Sequence, residues 1–207
     1  MIAFSLEQVQ RQPIEAAQGA IQSTLSTAQI PPRYAGWDLA HCNSPQVQDA
    51  VTVMSEFARA GHFNGQTTIL LGGDPGVGKT TLALACLQEF ISNWRGRKGG
   101  RFWSVAKGLT DIKASFNTPN PKGIPDLFPT GFIVLDDLGK ERLTDWAREQ
   151  VFYLLDEIWT RKTPCIITTN IHYDQFCTNL GDPALVSRIM GGCTVIKVQG
   201  QDLRQAG

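Results

Sequence analysis

Short apolar runs alternate with stretches of helical periodicity along most of this chain. Thr68-Ile69-Leu70-Leu71, Phe102-Trp103-Ser104-Val105, Phe132-Ile133-Val134-Leu135, Pro164-Cys165-Ile166-Ile167-Thr168-Thr169 and Cys193-Thr194-Val195-Ile196-Lys197-Val198 read as five strands. Helical segments fall between them. Ser44-Pro45 opens one, with Ser44 as N-cap and Pro45 at the first helical position. Val47, Val51, Met54 and Ala58 form its apolar face, and Gly61 ends it. Leu82, Ala83, Cys86, Phe90 and Trp94 share a second face. Residues 107–116 predict a short helix. Thr144 or Asp145 caps another, whose face carries Phe152, Leu155 and Trp159, with Val151 and Ile158 nearby. Asp182-Pro183 opens a last short helix that contains Arg188. Alternating strands and helices imply an α/β fold: an αβα sandwich on a mostly parallel five-stranded sheet.

Two segments break the pattern. Residues 1–29 are rich in Gln, Ala, Ser and Thr and predict a mobile or weakly helical arm, closed by the rigid Ile30-Pro31-Pro32. The division expected is an arm or linker over 1–32 and one core domain over 33–207. Residues 117–131 hold too much Pro, Gly and Asn for regular structure.

Composition narrows the function classes. The chain has 207 residues, 42% of them hydrophobic, and equal numbers of basic and acidic side chains, 19 each. No apolar run reaches the roughly 20 residues of a membrane span, and the N-terminus has no secretory pattern. Five scattered cysteines without a C-x-x-C pair argue against zinc and for a reduced, cytoplasmic setting. Cys86 and Cys165 lie in apolar patterns and read as core. Charge is uneven: Arg95, Arg97, Lys98, Arg101, Lys107, Lys113 and Lys122 face one acid, Asp111, within residues 90–125. Such an excess suits an anionic polymer, and equally a solvated loop.

The most specific chemistry lies at Gly73-Asp74-Pro75-Gly76-Val77-Gly78-Lys79-Thr80, which fits G-x-x-x-x-G-K-[ST] between a strand and a helix. Glycines let backbone N–H groups converge on phosphate, and the helix that follows adds its positive end. Lys79 is placed for the β/γ-phosphates of ATP or GTP, and Thr80, next to Thr81, for Mg2+. Asp136-Asp137 ends an apolar strand, which is costly without a cation or donors. The first carboxylate suits Mg2+ and the second an attacking water. Asn170 ends the next apolar strand, where an amide can fix that water. An arginine such as Arg188 stabilises charge developing on phosphate.

In this order, Ile30-Pro31-Pro32-Arg33-Tyr34, the Gly73–Thr80 loop, Leu135-Asp136-Asp137-Leu138-Gly139, Thr168-Thr169-Asn170, Ser187-Arg188-Ile189 and Gly200-Gln201-Asp202-Leu203-Arg204 resemble the DnaC/DnaI/IstB group of AAA+ ATPases. The resemblance covers residues 30–204. It implies an ATP-driven DNA-replication accessory protein of helicase-loader type, with Lys79, Asp136, Asp137, Asn170 and Arg188 as catalytic residues. Asn170 stands for sensor 1, Arg188 for an arginine finger acting on a neighbouring subunit, and Arg204 for a sensor-2 nucleotide contact. Single-stranded DNA would meet Lys107, Lys113 and Phe116, with Phe102 and Trp103 either nearby or in the core. A replicative helicase or, for an IstB-like helper, a transposase would be the partner, and the chain would form an ATP-dependent homo-oligomer. The sequence departs from the group's pattern in carrying Asp137 where most AAA+ proteins have Glu, in its short arm and in having no helical lid after the last strand. The first departure leaves open a binding switch with little hydrolysis. A small-molecule kinase is the remaining alternative, although no arginine-rich lid segment is present.

Overall fold

The computed structural model describes residues 6–96, 98–128, 131–139, 144–181, 183, 186–187 and 191–204, with side chains from residue 17 onward. Five strands form one sheet: β1 (Thr68–Gly72), β2 (Arg101–Ser104), β3 (Ile133–Asp136), β4 (Cys165–Thr169) and β5 (Cys193–Lys197). Their order is β2-β3-β4-β1-β5, and all four pairings are parallel. A parallel sheet needs cover on both faces, which is why its strands read as unbroken apolar runs.

Alternation along each strand divides the core in two. Ile69, Leu71, Val134 and Ile166 face a layer containing α2 (Gln48–Ala60) and α3 (Lys79–Asn93). Leu70, Ile133, Leu135 and Ile167 face α4 (Val105–Ser115) and α5 (Asp145–Arg161). Phe57 and Phe90 both pack on Phe132, with ring centroids 5.6 and 4.8 Å apart. Cys86 and Cys165 are buried as expected, and all five cysteines are free. Among the described residues no helix is long and apolar enough to cross a membrane.

The structure corrects several local expectations. The N-terminal segment forms a 22-residue helix, α1 (Leu6–Thr27). Its second half docks on the core: Ile21 and Leu25 pack against it, Thr24 Oγ1 donates to the Gly96 carbonyl, and Ala28 is fully buried. The pattern hid this, because Ile21 and Leu25 stand alone among Gln, Ala, Ser and Thr, and the rest of the contact is a close approach of the Ala20 backbone to Gly96. Ser44 and Pro45 start a 3-10 turn (Pro45–Val47), and α2 begins only at Gln48. Gly61 ends α2 in a left-handed conformation, φ 77°. On α5 the buried face is Val151, Leu154, Leu155 and Ile158, whereas Phe152 and Trp159 are exposed. Thr144 is its N-cap, accepting from the Ala147 N–H. Within 117–131, Ile124–Leu127 form a 3-10 turn that buries Ile124 and Leu127.

Candidate nucleotide site

The strand order decides which chain segments meet. β4 lies between β1 and β3, so the residues at its C-terminal end separate the glycine-rich loop after β1 from the acidic pair after β3. Crevices at the carboxyl ends of parallel strands are where such sheets bind ligands.

The loop is held by close backbone packing. Gly73 has φ 147° and lies against the Val198 carbonyl, so a Cβ there would overlap it. Gly76 has φ 85° and lies against the Asp202 carboxylate. Both need glycine for conformation and for space. The Leu203 N–H donates to the Gly76 carbonyl at 3.0 Å. Gln46 completes the tie. Its Nε2 donates to the carbonyls of Val77 (3.1 Å) and Gln201 (3.2 Å), and its Oε1 accepts from the Gln201 N–H (3.1 Å). Asp74 and Pro75 fill the loop's turn, and Thr81 follows Thr80 in the first turn of α3.

Lys79 is 5% exposed. Its Nζ donates to the carbonyls of Gly73 and Asp74, both at 2.7 Å. Burial pushes its pKa below the ordinary lysine value, and Asp137, Asp74 and Asp136 act in the opposite sense. The cation thus sits within the loop it is expected to serve, near three carboxylates.

Hydroxyls and amides organise the acids. Thr80 Oγ1 donates to Asp136 Oδ1 at 2.8 Å. Thr168 Oγ1 donates to the same oxygen at 2.8 Å and accepts from the Asp137 N–H at 2.9 Å. Asn170 Nδ2 donates to Asp137 Oδ1. Asp137 has φ 62°, a left-handed conformation costly for a residue with a side chain and common at functional sites. Thr80 and Asp136 thus present adjacent hard oxygen donors. Mg2+ takes one or two protein oxygens and completes its shell from phosphate and water, and this donor set fits it.

The remaining candidates are placed differently. Arg204 donates through Nε and a terminal nitrogen to both oxygens of Asp202, at 2.9 and 2.8 Å, which holds the Asp202 carboxyl below its ordinary range. Because Asp202 lies against Gly76, the guanidinium stands beside the loop. Arg188 lies outside the described residues. Lys107 is exposed and ion-paired with Asp111. Phe116 is 51% exposed and meets Trp146 edge-on, at 5.7 Å. Lys113 is exposed and lies about 120° around α4 from Lys107 at 3.6 residues per turn, so the DNA candidates do not share one face. Phe102 and Trp103 are core.

A model of the IstB-like ATP binding protein family matches residues 9–206. The chain belongs to that family. Among solved structures, the DnaC helicase loader is 25% identical with a TM-score of 0.70, over 82% of this chain and 100% of that one. DnaI is 19% identical with a TM-score of 0.65, over 84% and 94%. AMPPCP-bound DnaA from Aquifex aeolicus is 20% identical with a TM-score of 0.62, over 83% of this chain and 51% of that one. The last two share the fold. A comparison of the sequence with curated proteins found no match. The IstB-like chain therefore has the AAA+ type of P-loop fold, as its ordered motifs led us to expect.

Sequence reasoning gave no individual role to four residues that build this family member's site. Gln46 and Gln201 are 155 positions apart; nothing local marks Gln46, and Gln201 was noticed only as part of a motif. Thr168 did leave a signal, since it and Thr169 are hydroxyl residues at the end of an apolar strand that is buried on both faces. Asp202 was noticed only as part of a motif.

Proposed function

We propose that this protein binds and hydrolyses ATP and uses the cycle to act on single-stranded DNA together with a replicative helicase, as a loader-type accessory factor. The observation that carries hydrolysis is the Asn170–Asp137 hydrogen bond beside the Thr80–Asp136 pair. In this reading Lys79 leaves the loop carbonyls for the β/γ-phosphates. Thr80 and Asp136 would hold Mg2+, which would supply screening of phosphate charge. Asp137, fixed by Asn170, orients a water and accepts its proton. Arg188 of a neighbouring subunit stabilises charge on the γ-phosphate, which makes the active form a homo-oligomer. Arg204 contacts nucleotide once released from Asp202. The short Asp137 favours slow turnover in the absence of a partner.

The loader reading draws on the likeness to the DnaC helicase loader over all of that chain. A second reading, a transposition helper with the same ATP cycle, is favoured by the family match over residues 9–206. Co-purification with ATP separates them. Retention of a replicative helicase supports the first, and retention of a transposase instead supports the second and overturns the first.

A further inference from the structure

A cleft of about 700 Å³ opens beside β2, away from the glycine-rich loop. β2 is an edge strand. Its Phe102 N–H donates to the Ala28 carbonyl at 2.8 Å, and the cleft runs along the rest of the edge as far as Ser104. Pro31, residues of α4 and residues of the 122–127 segment line it together with the strand. Trp103 contributes to the floor. Its ring lies so close to Gly108 that any Cβ there would overlap the indole, so the floor is fixed.

Three cations line this cleft: Arg101, Lys107 and Lys122. The two carboxylates facing it, Asp111 and Asp126, are already engaged. Asp126 accepts from the Gly123 N–H at 2.8 Å, and its carbonyl accepts from Arg101 at 2.9 Å. Asp111 pairs with Lys107, four residues away, on an exposed helix face. Such pairs are worth only about 0.3–0.5 kcal/mol, so Lys107 can exchange Asp111 for a stronger anion at little cost. Lys122 has no ion pair among the described residues.

We infer that this cleft seats one nucleotide of a single DNA strand, with the phosphates at Lys107 and Lys122 and the base against the β2 edge. The volume falls within the roughly 300–1,000 Å³ of small-ligand sites. A base can enter such a cleft only when it is unpaired and turned out of the stack, which a single strand allows and an intact duplex does not. The inference rests on the DNA-binding reading above and changes its residues. Lys122 and Arg101 enter, whereas Lys113 and Phe116, on the other flank of α4, make no contact with the strand.

The test is fluorescence anisotropy of a labelled oligothymidine on the full chain with ATP, for the parent and for Lys107→Glu, Lys122→Glu and Lys113→Glu. All three positions are exposed, and circular dichroism checks that each variant folds. The first two variants should weaken binding roughly fivefold or more and flatten its salt dependence, as loss of a phosphate contact does. Lys113→Glu should bind like the parent, as should ATP to every variant. Bound oligonucleotide should also protect Lys122 from acetylation. If the parent binds DNA and only Lys113→Glu weakens it, the cleft is not the seat, although the DNA reading survives. If the parent binds no single-stranded DNA at low salt, both fall. If an extended peptide competes for the cleft and DNA does not, the β2 edge is a protein-docking site and the inference is overturned.

Discussion

The phosphate-facing end of the sheet and the outer flank of α4 both carry charge, and they hold it in opposite ways. At the first, the two acids at the end of β3 are fixed by residues far away in sequence. Thr80 and Asp136 are 56 positions apart, Thr168 and Asp136 32, and Asn170 and Asp137 33. At the second, Lys107 pairs with Asp111 one helical turn away, and both are exposed. The first arrangement depends on the register of three strands and is lost if any of them moves. The second survives almost any local change. A site that must orient a reacting water needs the first kind of order. A surface that meets a flexible polyanion needs only the second, since counterion release is indifferent to precise geometry.

This contrast sets the order of the expected effects. Lys79→Ala should abolish ATP binding by calorimetry, because it removes the one cation buried within the loop. Unchanged affinity would remove the loop from nucleotide binding. Arg188→Ala should keep ATP binding and lower turnover by about 10³-fold, the scale of arginine fingers. Mixing it with Lys79→Ala chains should restore part of the rate at mixed interfaces, and no rescue would place the arginine's action within its own subunit. Thr168→Val, at a position 2% exposed, should cost about 1–3 kcal/mol in urea denaturation, because it strips a partner from Asp136 and from the Asp137 N–H. A neutral result would show that the inter-strand network is dispensable. At the other flank, Lys107→Ala should change stability by less than about 0.5 kcal/mol. A larger loss would mean that α4 relies on that pair and would erase the contrast.

Much of this was legible in the chain, and the exceptions share a physical cause. The inner strands β1, β3 and β4 stood out because a parallel sheet covered on both faces demands continuous apolar runs, whereas the edge strands β2 and β5 are only partly buried. The glycine-rich loop and Asp136-Asp137 stood out because their chemistry is compressed into a few consecutive residues. Helix α1 did not, since its docking face shows only Ile21 and Leu25 among small and polar residues, with the Ala20 backbone against Gly96. On α5, helical spacing fitted both Phe152/Leu155/Trp159 and Leu154/Leu155/Ile158, and only the position of the sheet decides between them. Gln46 was invisible because its partners, Val77 and Gln201, are brought to it by the fold alone. Lys113 and Phe116 seemed to belong with Lys107 by proximity in sequence, yet the turn of the helix puts them on another flank.

In the proposed function the Asp137–Asn170 pair makes the carboxyl end of the sheet a hydrolytic site and not merely a nucleotide clamp. Asp137→Asn tests it most directly, with ATP affinity and steady-state turnover measured on the same preparation. The variant should keep parental affinity and lose about 10²–10⁴-fold in rate, the usual contribution of a positioned general base. Equal turnover in variant and parent would contradict that role and leave a protein that binds ATP through this loop and does its chemistry elsewhere or not at all.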